Sequence, residues 1–138
     1  STRADVMYLL DTNTVIYWFK GLGRVGEHLQ QMARTNVALP MPVLYELEVG
    51  IRKISPPSQR RRLQLDRFLS VVRVLPFNVN EARAAASIRV QLEKQGMPIG
   101  PIDTLIAGTA LAHGATLVTR NTGEFGRVSG LVLENWYD

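Results

Sequence analysis

The stretch VMYLLDTNTVIYWFKG (residues 6–21) decides the fold. Its first part, VMYLLD (6–11), is a continuous apolar run rather than an alternating one, as expected of a strand covered on both faces. A carboxylate, Asp11, closes that run. A helical pattern over TVIYWFKG (14–21) begins three residues later and stops at Gly21.

The same alternation continues along the chain. GEHLQQMART (26–35) is amphipathic and leads into a strand-like NVALPM (36–41). Pro42 occupies a position tolerated at the start of a helix, predicted over PVLYELEVGIRKI (42–54). A further helix follows within SPPSQRRRLQLDRFLSV (55–71), its apolar positions Leu63, Leu65, Phe68 and Leu69 imperfectly spaced, and then a strand in VVRVLPF (71–77). Asn80 is the expected N-cap of EARAAASIRVQLEKQ (81–95), which Gly96 ends. PIDTLIAGTALAHG (101–114) starts with proline and stops at glycine, while ATLVTRN (115–121) and GLVLEN (130–135) are the last two strands. Five apolar strands separated by helices predict an α/β sandwich around a mainly parallel sheet.

The bulk composition agrees. The chain has 138 residues, the size of one domain, with 46% hydrophobic and 20% charged residues, as in ordinary folded proteins. It has no cysteine, which excludes disulfides and thiolate zinc sites and fits a reducing cytosol. STRADVMYLL (1–10) contains no leader pattern, and no apolar run is long enough to span a bilayer, so a cytoplasmic protein is expected. The net charge of +4, mostly arginine, favours a polyanionic partner.

The acids carry the functional argument. Asp11 lies at the carboxyl end of the first strand, Glu46 in the helix after the second, and Asp103 in the first turn of the helix before the fourth. Glu124, with Asn121 beside it, follows the fourth strand. In a right-handed βαβ sheet, strand carboxyl ends and helix amino ends share one edge, where open α/β sheets place their ligands. Singly, Asp11 reads as a helix cap and Asp103 as a complement to a helix dipole; together the acids read as a site. Clustered carboxylates resist ionising without positive charge among them. With oxygen donors only, the expected ion is a hard one, Mg²⁺ or Mn²⁺.

YLLDTN (8–13), YELEVG (45–50), PIGPIDTLIAGTA (98–110), LVTRNTGEF (117–125) and GLVLENW (130–136) together resemble a PIN-domain ribonuclease, specifically the VapC toxins of bacterial type II toxin–antitoxin systems. The resemblance covers nearly the whole chain. It implies a single PIN domain over 1–138: a three-layer sandwich with a central, mainly parallel five-stranded sheet flanked by helices. It also implies Mg²⁺-dependent cleavage of RNA, tRNA or rRNA, leaving a 5′-phosphate and a 3′-hydroxyl. Carried over, the metal-binding acids are Asp11, Asp103 and Glu46. Family members often carry a fourth acid where this chain has Asn121, and Glu124 three residues on is the alternative. Thr12 and Asn13 match the polar pair that orients the first aspartate, and Thr119 a supporting hydroxyl.

The resemblance further implies a homodimer held inactive by a VapB-type antitoxin, whose C-terminal segment lies along an apolar groove that Tyr17, Trp18 and Phe19 are placed to line, unless they are core. Arg120 is a candidate phosphate contact. The run QRRRLQ (59–64) reads as a solvated face, Arg127 as ambiguous, and His28 and His113 as structural or exposed. Two other readings compete. One is a PIN-like RNA-binding module without catalysis, which the retained acids argue against. The other is a haloacid-dehalogenase-type phosphatase with Asp11 as nucleophile. There Asn13 replaces the usual general acid, and the later lysine and paired acids are lacking.

Overall fold

The computed structural model describes residues 6–138, so the leader reading falls partly on residues 1–5, outside the described part. Strands β1 (Tyr8–Leu10), β2 (Val37–Pro40), β3 (Arg73–Leu75), β4 (Thr116–Val118) and β5 (Val132–Glu134) form one sheet in the order β3-β2-β1-β4-β5. Every neighbouring pair is parallel, so the mainly parallel expectation sharpens to wholly parallel. In the central strand Leu9 pairs with Ala38 on one side and Leu117 on the other. Consecutive residues Leu9, Leu10 and Leu117, Val118 are fully buried, which requires cover on both faces of the sheet.

That cover comes from helices α1 (Thr12–Phe19), α2 (Val25–Gln31), α3 (Met41–Arg52), α4 (Gln59–Leu69), α5 (Val79–Lys94), α6 (Pro101–Ala112) and α7 (Thr122–Phe125). Helices α5 and α6 approach so closely that a Cβ on Gly108 would lie 2.7 Å from both the backbone nitrogen and the Cβ of Ala85. No helix among the described residues is long and apolar enough to cross a membrane.

Several boundaries differ from expectation for local reasons. Helix α1 begins at Thr12, not residue 14, because Asp11 caps it directly. Helix α5 is capped by Asn78, not Asn80, which lies inside the first turn. Glu81, three residues beyond Asn78, accepts the Asn78 N–H at 2.7 Å and closes a capping box. Residues 26–35 form α2 and then a 3₁₀ turn, Arg34–Asn36, rather than one amphipathic helix. In α4, Leu65 and Phe68 are buried while Leu63 is exposed.

Candidate active site

The strand order reverses between β1 and β4: β2 and β3 add on one side of β1, β4 and β5 on the other. At such a switch point the loops leave in opposite directions and open a crevice at the strand carboxyl ends. Asp11 follows β1 and Thr119 follows β4, so both sit at its floor.

Asp11 is only 5% exposed. Its N–H extends the ladder to the Val118 carbonyl at 3.1 Å, and its Oδ1 accepts the Thr14 N–H at 2.8 Å, capping α1. The Thr14 hydroxyl donates to the same Val118 carbonyl at 3.1 Å, tying the first turn of α1 to β4. Burial pushes the Asp11 carboxyl above its ordinary value, while hydrogen bonds from Thr119 and Thr14 oppose that rise. The cap and the site carboxylate are therefore one residue.

Glu46 projects from the second turn of α3, which starts after Pro40 without a side-chain cap. The Thr12 hydroxyl donates a short hydrogen bond to Glu46 Oε1, across 34 residues of sequence. Thr12 thus orients Glu46 and not Asp11, and Asn13 faces solvent. The polar pair implied beside Asp11 is corrected on both counts: Thr14, at the third helical position, fills that role because an N-cap acceptor reaches the third amide.

Asp103 lies in the first turn of α6, which Pro101 opens. Its carboxyl is pushed up from 3.8 to about 6, first by burial and then by the negative charges of Glu46, Glu124 and Asp11. Acids from three other segments therefore act electrostatically on Asp103.

Glu124 belongs to α7, a one-turn helix absent from the sequence reading. The Asn121 amide donates to Glu124 Oε2 at 2.7 Å, and the Asn121 N–H donates to Thr119 Oγ1 at 2.9 Å. Asn121 thus holds the Glu124 carboxylate through its side-chain amide. The spacing of Asn121 and Glu124, a capping residue followed three positions later by an acid, is the signal that marks α7.

The remaining candidates are accounted for by packing. Of the run Arg60–Arg62, only Arg60 is exposed, so the solvated-face reading fails for the other two. Arg61 and Gln64 donate to the Phe19 carbonyl at 3.2 Å each, capping the end of α1. Arg62 forms a two-pronged pair with Glu48 at 2.8 and 2.9 Å. Arg127 donates to the Pro98 carbonyl at 3.1 Å. His28 stacks on Trp136, and His113 meets Glu81 at 2.9 Å, both structural. Trp18 and Phe19 pack on Phe68, whereas Tyr17 turns to Tyr137 and Arg120.

The donor set has the chemistry a hard cation requires. All donors are oxygens, and the Asp103 carboxyl is held up by three like charges, so the pocket is short of positive charge. Among the described residues, no three acids converge tightly enough to cage an ion alone. Mg²⁺ keeps several waters and shares its remaining positions with substrate phosphate, so it needs few protein oxygens. The residues fit the ion on those terms.

Known proteins share this fold and sequence pattern. Residues 8–131 match the PIN domain family. The chain is 38% identical over 133 residues to Ribonuclease VapC2 of Rickettsia felis, covering 95% of this chain and 98% of that protein. It is 34% identical over 129 residues to the tRNA(fMet)-specific endonuclease VapC of Shigella flexneri, covering 94% and 97%. In the crystal structure of VapBC2 from Rickettsia felis bound to a promoter DNA fragment, one chain superposes with a TM-score of 0.87 at 36% identity, covering 95% of this chain and 99% of that one.

Proposed function

The chain belongs to the VapC ribonucleases of the PIN-domain family, and we propose that it is a Mg²⁺-dependent endoribonuclease toxin that cuts tRNA or rRNA in the cytoplasm. The observation that carries this reading is the Asp103 carboxyl, pushed up to about 6 by burial and three neighbouring acids. A cation among them removes that repulsion, and Mn²⁺ serves the same donors. When bound, the ion supplies Lewis acidity toward the scissile phosphate and its attacking water.

The chain's own residues do the rest. Asp11 and Asp103 would be the principal ligands, with Asp11 fixed by the α1 amide it caps. Glu46, aimed by the Thr12 hydroxyl, orients the attacking water and takes up its proton. Glu124, braced by Asn121, closes the ring. In-line attack breaks the bond from phosphorus to the 3′ oxygen, which takes a proton from solvent, leaving a 5′-phosphate and a 3′-hydroxyl.

The partner is a VapB-type antitoxin acting on a toxin homodimer. A cleft of about 290 Å³ lined by Trp18, Leu29, Met32, Phe68 and Val71 offers an apolar seat for an antitoxin segment. The phosphatase alternative has no support in the family match, and Asn13, in the place of its acid, faces solvent.

The test is cleavage of purified RNA by the purified chain with Mg²⁺, with EDTA, and with Asp11→Asn and Asp103→Asn. Cleavage is expected only for the native chain with metal. Asn keeps the α1 cap, so Asp11→Asn stays folded. Equal cutting by the variants, in preparations free of contaminating nuclease, overturns the reading. RNA bound and left uncut by the native chain with Mg²⁺ or Mn²⁺ supports the non-catalytic module instead.

A further inference from the structure

Arg120 stands between Thr119 and Asn121, at the carboxyl end of β4 and on the same edge as the acids. Its guanidinium carbon lies 3.7 Å from the centroid of the Tyr137 ring and 5.8 Å from that of Tyr17. The two rings meet edge to face at 4.8 Å. Tyr137 is itself fixed: its carbonyl accepts the Arg24 N–H at 2.9 Å, and its N–H donates to Asn135 Oδ1 at 2.8 Å. Gly23, at φ +65°, leaves room for the ring, since a Cβ there would come within 2.6 Å of it.

Stacking occupies a face of the guanidinium and leaves most of its in-plane N–H donors open. Among the described residues no carboxylate lies in ion-pair range of Arg120, whereas Arg24, Arg52, Arg62 and Arg89 all pair with acids. Arg120 is exposed yet held by aromatic packing, with the Tyr17 hydroxyl engaging part of its donor edge and the rest left open to a ligand. RNA approaching the acidic rim meets like charge, so a fixed cation beside that rim has a direct use.

From this geometry we infer that Arg120, seated on Tyr137 and Tyr17, is a positioning residue that binds one RNA backbone phosphate flanking the scissile bond. The inference rests on the nuclease reading for its choice of anion. It adds a specific contact, made through an arginine that the rings orient and that, among the described residues, no acid holds in an ion pair.

The test is binding of a labelled single-stranded RNA to the full chain carrying Asp103→Asn, so that RNA stays intact, compared with the same chain also carrying Arg120→Ala, Arg120→Lys or Tyr137→Leu. Losing one phosphate contact lowers the slope of log affinity against log salt by about 0.7. The deficit of Arg120→Ala should therefore narrow by about threefold between roughly 50 and 200 mM salt. Arg120→Lys should keep the slope, and Tyr137→Leu should weaken binding with the slope kept. Thermal unfolding checks that each chain is folded. An Arg120→Ala chain with unchanged affinity and slope overturns the inference, as does a loss of affinity that salt does not alter. A native chain that binds RNA through Arg120 but does not cut it with Mg²⁺ removes the nuclease reading and leaves the phosphate contact standing.

Discussion

Replacing Asp103 by asparagine should make the metal-free protein more stable while destroying its activity. The folded carboxyl titrates at about 6 against an ordinary 3.8. That gap of roughly two pH units corresponds to at most about 3 kcal/mol of unfavourable interaction in the ionised form. Asp103 is only partly buried, so solvent screening reduces the figure to about 1–2 kcal/mol. For a chain of this size Asp103→Asn should then raise the melting temperature by about 3–8 °C at pH 7.5 in EDTA.

The pH dependence fixes the sign. Below about 4 the carboxyl is protonated in both folded and unfolded chains, and the variant gains nothing. Between about 4 and 6 the unfolded chain ionises first, so the native protein loses stability as pH rises, and above 6 the full penalty stands. The gap between variant and native protein should therefore open across that window, as read by calorimetry. Saturating Mg²⁺ should stabilise the native chain more than the variant and close the gap. An Asp103→Asn chain no more stable than the native one at pH 7.5 in EDTA would refute the charge-crowding argument.

Two further substitutions separate aim from packing. Thr12→Val removes the hydroxyl that holds Glu46 and should lower cleavage by about 10–100-fold, while Thr12→Ser should restore most of it; single-turnover rates with Mg²⁺ read the difference. Gly108→Ala should destabilise the chain despite the better helix propensity of alanine, since overpacking against the Ala85 backbone costs about 1–3 kcal/mol; a denaturant midpoint at or above the native value would contradict it.

The sheet was legible because its strands are apolar on both faces, so each shows as an unbroken run such as VMYLLD (6–11). The acids were legible as a set because topology alone sends strand ends and helix starts to one edge. Side-chain direction was not. Nothing in the spacing of Thr12 and Glu46 announces a bond across 34 residues, and a threonine next to Asp11 in sequence naturally reads as its helper. Thr14 was readable from cap geometry, and α7 from the Asn121–Glu124 spacing, but a single turn has too little periodicity to register. Arg61 and Arg62 looked like a solvated face because their partners, the Phe19 carbonyl and Glu48, come from other helices.

The dispersal of the acids also sets when the site can assemble. Asp11 follows β1 and Glu124 follows β4, and β4, which pairs with β1, is made only after β2, β3 and the helices between them. A growing chain holding only β1 to β3 has no partner on the open side of β1 and no Glu124 to close the ring. The acidic site is therefore a product of the whole sheet, and no segment holding only β1 to β3 carries it.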